Sequence, residues 1–521
     1  MRTRIAVWPN ELKKLGLSWT FRSAAQAAEV DVNETTINRA RLRRKAQHHE
    51  AEIPDAGVRL FVILALLAFL LPLLLPSPSF ASSPVEKDTA AALLAYLDAA
   101  NKNWNFQGSV LAARDGDVVL KRGVGLADVK ADRLNTPSTR FLVGSITKTF
   151  TAAAVLQLEE RGLLSLKDPV VKHLSGYPKK TGARMTIHHL LSHTSGVPEL
   201  AAAPGRLGDL AKPRKPMDLI ALFKDRPLDF EPGEKHQYSN SGYVILGAII
   251  EKASGQSYCE YIQGHIFRPL GMKDSGCCED YNDRPDFARG YVEGRDGKLM
   301  PAPYVHPSLG YAAGALHSTV GDMLKWDQAL SSNKILSRAS LDKMFRPVKD
   351  DYGYGWLITR TFGREDVFHG GGTPGFSAWI ERWPEEKMFI AVLSNTAGAP
   401  AGEIGRSLAA ILFGEKYEPP RIRGAIQLSA EVLEDYVGVY KIDAENFRVI
   451  SREDGSLFVA RNDGRRFPIL PFARDEFFFP TDKGASLRFT RDKSGRIDGQ
   501  VFHQLGVDEK AVKLSQAEAK K

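Results

Sequence analysis

Three groups of residues in this chain have the types and spacing for nucleophilic chemistry. The first is Ser145 with Lys148, in the run Gly144-Ser145-Ile146-Thr147-Lys148. Positions i and i+3 share one face of a helix, so a helix starting here stands the lysine amine beside the serine hydroxyl, near the helix's positive end. A serine hydroxyl is a poor nucleophile until a base takes its proton, and a desolvated lysine can be that base. The second group is Tyr238 with Asn240. A tyrosinate near cations can take the same proton and later return it to a leaving group. An amide two residues on can face both the lysine and a substrate carbonyl. The third is His369-Gly370-Gly371. On a strand, these glycines let a substrate backbone approach the sheet edge and expose an N–H that, with that of Ser145, would make an oxyanion hole. Ser-x-x-Lys alone also occurs wherever a capped helix carries a surface lysine; the inference rests on the three groups together.

The elements that must position these groups are legible. Residues 141–143 read as a short strand and 149–161 as a helix, placing Ser145 at a strand-to-helix turn. A helix over 244–253 follows the Tyr238-Asn240 group, and a strand over 367–369 carries the third. Alternating runs at 109–114 and 117–122 flank Asp115-Gly116, a hairpin signal. Further strands are expected at 377–383 and 388–395. Helices are expected at 87–101, 186–192, 318–330 and 403–413, with a further helical piece in 163–174 after Asp168-Pro169; 197–235 reads as loops and short helices, and 273–312 as irregular. After a proline-containing linker at 415–427, closely spaced strands at 447–451, 457–461, 467–470, 476–479, 487–490 and 497–503 indicate a small antiparallel barrel or sandwich.

Length and composition set the frame. A chain of 521 residues exceeds one typical domain, and 43% hydrophobic with 25% charged residues is ordinary for a globular protein. The net charge of +8 is uneven: residues 1–81 hold eleven Lys/Arg against seven Asp/Glu. No basic stripe interleaved with aromatics speaks for nucleic-acid binding. Residues 1–56 read as a polar N-terminal segment, either solvated or added by a start codon placed too far upstream. Residues 57–81 contain the strongly apolar run 60–75, preceded by Arg59 and followed by Ser79 and Ala81. That pattern is a signal peptide cleaved after Ala81 or, uncleaved, a membrane anchor, and it places the bulk of the chain outside the cytoplasm. The three cysteines, Cys259, Cys277 and Cys278, allow at most one intramolecular disulfide and are read as small buried or surface residues.

The ordered set Ser-x-x-Lys, Tyr-Ser-Asn and His-Gly-Gly resembles the serine β-lactamase and penicillin-binding-protein superfamily, in particular its branch of class C-like β-lactamases, esterases, D-aminopeptidases and DD-peptidases. The stretches 190–196 (Leu-Leu-Ser-His-Thr-Ser-Gly), 230–233 (Phe-Glu-Pro-Gly) and Ala313-Gly314 with Ser318, Thr319 and Asp322 resemble that branch as well. The likeness covers about residues 90–413. It implies an α/β (α+β) domain over 82–414, an antiparallel sheet flanked by helices beside an all-helical subdomain, with the site between them. The 428–521 segment resembles the lipocalin-like β domain appended to some members. Carried over, Ser145 is the acylated nucleophile, and Lys148 and Tyr238 share the proton transfers. Asn240, His369 and Gly371 position substrate, and the N–H groups of Ser145 and Gly372 form the oxyanion hole. No metal or organic cofactor is required.

One departure matters. Classical β-lactamases carry Lys-Thr-Gly where this chain has His369-Gly370-Gly371, and that lysine helps bind the antibiotic carboxylate. A histidine, only partly charged near neutral pH, shifts weight from β-lactams toward peptides and esters. Other patterns lose to context. His189 and His193 have zinc-helix spacing but lack the following glutamate. Gly370 to Gly375 has dinucleotide-loop spacing but contains Pro374 and precedes no helix. Gly-x-Ser-x-Gly is absent, which argues against an α/β-hydrolase. The expectation is an exported serine hydrolase acting on a small-molecule or peptide substrate, including cell-wall-derived ones. Membrane contact would run only through residues 60–75 if they are retained. The rival expectation is a membrane-anchored β-lactam or cell-wall-peptide sensor that is acylated but scarcely turns over. The substrate, the role of the C-terminal domain and the oligomeric state are not legible.

Overall fold

Asp115 and Gly116 both have positive φ, 52° and 87°, the backbone that a two-residue hairpin turn demands. They join β1 (Gly108–Arg114) to β2 (Asp117–Val124). In this computed structural model, which describes residues 84–200, 209–277, 280–281, 284–294, 297–462, 464–515 and 518, that hairpin completes a sheet begun far downstream. The other members are β3 (Leu357–Thr361), β4 (Arg364–Thr373), β5 (Phe376–Trp383) and β6 (Met388–Ser394). The order is β3-β4-β5-β6-β1-β2, and every neighbouring pair is antiparallel. Leu111 lies opposite Ala391, so residues about 280 positions apart in sequence pair at the centre.

The sheet is covered on both faces, and the period-2 alternation of β6 shows how. Met388, Ile390 and Val392 point into one apolar cluster and Phe389, Ala391 and Leu393 into another. The helices that matter here are α1 (Pro84–Trp104), α2 (Thr147–Glu160), α3 (Asn240–Ser254), α4 (Val320–Leu330) and α5 (Ala401–Phe413). Leu93 and Leu97 of α1 and Ile404 and Leu408 of α5 fill the first cluster. Residues of α2, α3 and α4 fill the second. Helix α2 is buried from Thr147 through Leu158, as expected for a helix enclosed by neighbours on every side. Phe150 stacks on Trp326 of α4 at 4.1 Å.

Cys259 and Cys277 form a disulfide, which corrects the reading of the cysteines as small unlinked residues. The segment between them turns back through a π-helical stretch at Gln263–Phe267, bringing together two residues that sequence spacing alone does not pair. The helical piece expected after Asp168-Pro169 is Val170–His173. The short helix at Pro216–Ala221 falls in the 197–235 stretch read as loops and short helices; the helix Arg338–Met344 and strand β3 were not anticipated.

Beyond the 415–427 stretch lies a closed barrel of eight strands: Gly438–Lys441, Phe447–Glu453, Ser456–Arg461, Phe467–Ala473, Glu476–Phe479, Asp482–Arg491, Ile497–Gln504 and Val507–Lys513. The first and last, unread in the sequence, pair with each other at Tyr440 and Lys513 and remove the sheet edges. Tyr436, Tyr440, Phe477, Leu487 and Phe489 pack its interior. The barrel and the sheet domain belong to one compact unit running from Asp88. Arg406 of α5 donates to Leu505 O at 3.2 Å, and Lys483 donates to Trp104 O at 2.8 Å. Among the described residues no helix is long and apolar enough to cross a membrane. The apolar run 60–75 lies outside them.

Candidate active site

Ser145 sits in a 3₁₀ turn, Gly144–Ile146, that opens directly into α2. Gly144 has φ 53°, and a Cβ there would lie 2.7 Å from Gly372 N. Only glycine gives this turn both its conformation and its clearance from β4. A Cβ on Gly371 would lie 1.9 Å from Val143 O, so the same strand passes in direct contact behind the turn. Strand β3 stops pairing with β4 at Phe368, opposite Leu357. Beyond it, Gly370 to Thr373 pair with β5 alone. That leaves the other edge of the glycine run without a strand partner, and Gly372 is exposed there.

Lys148 is completely buried. Its Nζ lies 3.1 Å from Ser145 Oγ, 2.8 Å from Asn240 Oδ1 and 2.9 Å from Ala313 O. It also stands 4.7 Å from the centroid of the Tyr238 ring. The three sequence groups therefore converge: Ser145 and Lys148 from the turn and α2, Tyr238 and Asn240 at the start of α3, and the glycine run of β4 behind the nucleophile turn.

The Tyr238 segment is held by the Leu190–Gly196 stretch. His193 adopts φ 57°, unusual for a non-glycine residue. Its carbonyl accepts from Gln237 N at 2.9 Å and its Nδ1 accepts from Ser239 N at 3.1 Å. Its ring lies 4.3 Å from that of Tyr238. Burial, reinforced by His236, Lys148 and His369, holds the His193 imidazole well below its ordinary pKa. It is neutral and serves as a platform. Gly233 N donates to Thr194 O, and Asp229 N to Gly196 O, so the Phe-Glu-Pro-Gly stretch clamps the same turn. His189 caps its own short helix, its Nδ1 accepting from Thr186 N.

His369 is also neutral. It is 1% exposed, and burial followed by the nearby Lys148 charge lowers its pKa to about 3. Its Nδ1 donates to Gly370 O at 2.6 Å, so Nε2 accepts from Tyr352 OH at 3.1 Å. The partial charge expected from sequence is absent because the ring is sealed beneath the cleft. What this position offers a substrate is the backbone that follows it.

Glu199 was not singled out from sequence. It accepts from Asn240 N at 2.7 Å and from Asn240 Nδ2 at 3.1 Å. A lone acid in a proline-containing loop reads as solvated; only its position three residues past Gly196 hinted otherwise. Tyr352 and Ala313 O likewise became visible only in three dimensions. Among the described residues no cluster of three or more His, Cys, Asp or Glu is placed to hold a metal ion.

The β-lactamase family model matches residues 98–413, and the chain belongs to that family of serine hydrolases. It is 30% identical over 436 residues to penicillin-binding protein 4* of Bacillus subtilis (strain 168), covering 78% of this chain and 95% of that protein. Among solved structures it is similar to the octameric penicillin-binding protein homologue from Pyrococcus abyssi, with TM-score 0.59, 28% identity, and coverage of 81% of this chain and 99% of that one. It is also similar to the D-amino acid amidase from Ochrobactrum anthropi SV3, with TM-score 0.53, 26% identity, and coverage of 59% and 91%.

Proposed function

We propose that this enzyme cleaves amides or esters through an acyl-enzyme on Ser145. The observation that carries the reading is the environment of the Lys148 amine. Two carbonyl oxygens, Asn240 Oδ1 and Ala313 O, accept two of its N–H groups, and the third direction points at Ser145 Oγ. As a neutral amine it keeps both carbonyl bonds and turns its lone pair to the serine O–H. The serine oxygen then attacks the substrate carbonyl carbon as its proton passes to Lys148. The N–H groups of Ser145 and Gly372 receive the developing oxyanion. Tyr238, over the amine, relays the proton to the departing amine or alcohol. In the second half Tyr238 takes a proton from the water that attacks the acyl group while passing its own to Lys148, which returns it to Ser145 Oγ as the acyl–oxygen bond breaks. Asn240 holds the amine and faces the substrate, and the open edge of β4 at Gly371 and Gly372 takes the substrate backbone as an added strand.

The substrates are peptides, amides or esters rather than β-lactams. A neutral, buried His369 supplies no cation for an antibiotic carboxylate, and the likeness to a D-amino acid amidase supports D-aminoacyl groups. The site serves from outside the cytoplasm. Arg59, the apolar run 60–75 and the small residues Ser79 and Ala81 support export with cleavage after Ala81, and the Cys259–Cys277 disulfide supports an oxidising compartment. The domains run as a polar segment over 1–56, an export segment over 57–81, a hydrolase domain over 82–414, a linker over 415–427 and a barrel over 428–521.

The test is rapid mixing of the purified protein with a p-nitrophenyl ester beside Ser145→Ala. A burst followed by steady turnover, both lost in the variant, is expected, with D-phenylalanine amide hydrolysed faster than its L form. Equal rates in the two proteins would end the reading. A stoichiometric burst that stalls would replace the hydrolase by an acylated sensor.

A further inference from the structure

Three consecutive residues at the start of α3 meet three consecutive residues of the 197–199 loop. Ser239 Oγ donates to Val197 O at 3.4 Å, Asn240 to the Glu199 carboxylate, and Ser241 Oγ to Pro198 O at 2.7 Å. Ser239, at the N-cap of α3, makes no side-chain capping bond. The Glu199 carboxylate takes that place by accepting the Asn240 main-chain N–H. Its other oxygen accepts the Asn240 side-chain N–H. Glu199 is 9% exposed, and Arg226 donates to its carbonyl at 3.3 Å, so the loop is anchored on both sides.

This pairing decides which way the Asn240 amide points. A primary amide has one accepting and one donating end, close in size, and can turn over with little steric penalty. Only the accepting end suits Lys148. A carboxylate on the far side has acceptors alone, so it binds Nδ2 and leaves Oδ1 for the amine. We propose that Glu199 is a positioning residue for the hydrolytic reaction. By accepting both N–H groups of Asn240 it fixes the amide with Oδ1 on Lys148, and so aims the amine at Ser145. The inference rests on the proposed roles of Lys148 and Ser145. It adds a group that touches neither substrate nor nucleophile and acts through Asn240.

Glu199→Gln separates this role from helix capping. The substituted side chain keeps an oxygen for the Asn240 main-chain N–H, so the cap survives. It presents an NH₂ to the Asn240 side chain, which then turns its oxygen away from Lys148 and sets Nδ2 against the amine. With p-nitrophenyl butyrate, which has no amino group for the carboxylate to bind, we expect kcat to fall about 100-fold and KM to stay within about threefold, with an unchanged melting temperature. A neutron crystal structure of the variant, which tells the amide N from its O, should show the Asn240 amide reversed. Unchanged kcat, or Oδ1 still on Lys148 in that structure, overturns the inference. A fall in KM and melting temperature together without loss of kcat would also overturn it, reducing Glu199 to a structural residue. Ser145→Ala measured alongside reports on the mechanism itself. If it leaves hydrolysis intact the acyl-enzyme reading fails, while the crystal structure still decides what Glu199 does to Asn240.

Discussion

Neutral imidazoles floor the cleft. His193 and His369 are both buried, and both have pKa values driven below the ordinary range by burial first and neighbouring charge second. The unfolded chain binds protons on these rings that the folded state refuses. Their contribution to stability is therefore full above the unfolded pKa of about 6.5 and is lost progressively as pH falls toward 3. For His369 alone the loss by pH 4 is about 3 kcal/mol. Melting temperature should fall steadily from pH 7 to 4, and His369→Gln should flatten part of that slope in a pH series of thermal melts. Over the same range kcat should show no limb that vanishes in the His369 variant. Because the ring carries no charge, β-lactams should be poor substrates beside p-nitrophenyl esters, measured as kcat/KM on one preparation.

The nucleophile turn and β4 are fitted to each other at the scale of elements. Three glycines make the contact: Gly144 faces Gly372, and Gly371 faces Val143. Gly371→Ala would drive a methyl into the Val143 carbonyl and push the strand off the turn. A displacement near 1 Å costs about 100-fold in rate, so this variant should lose activity by at least that factor and melt lower. Gly372→Ala is its control. A Cβ at Gly372 meets nothing within 4 Å, and the N–H is kept, so melting should be unchanged and any effect should fall on KM. The Cys259–Cys277 bond ties the helical layer to a short strand beside Leu316–Ser318. Closing a loop of this length stabilises by about 3 kcal/mol, and Cys259→Ser should lower the melting temperature accordingly while leaving the burst with ester substrates.

The barrel is joined to the hydrolase layer through the back of the sheet, away from Ser145. Arg406 bonds Glu381 at 2.9 Å, Asp366 at 3.2 Å and the barrel carbonyl Leu505 O, and its guanidinium lies over Phe368 and Trp379. Arg406→Ala leaves the buried Asp366 carboxylate without its counter-charge and takes a donor from Glu381, whose pKa burial lifts to about 8; it should cost about 3–5 kcal/mol, read by denaturant unfolding. His503 faces Glu403 at 3.7 Å and Asp508 at 2.8 Å. Burial lowers its pKa, but the two carboxylates outweigh burial and lift it to about 9. That stabilisation is complete below about pH 6.5 and lost as pH rises through 9. Protease cleavage within 415–427 should therefore accelerate as pH rises from about 6.5 to 9 and level off above it, and Glu403→Gln should remove most of that dependence. The sequence by itself determined the family resemblance, the three candidate groups, the hairpin at Asp115-Gly116 and the presence of a β-rich C-terminal domain. Each of these is written in local spacing: a helical i, i+3 pair, a turn dipeptide, alternating strands. Tertiary structure alone decided the charge state of His369, the partner of Cys259, the two strands that close the barrel and the pairing of Glu199 with Asn240. Those depend on what surrounds a side chain after residues tens to hundreds of positions apart have packed together, and burial and hydrogen-bond partners of that kind leave no trace in local spacing.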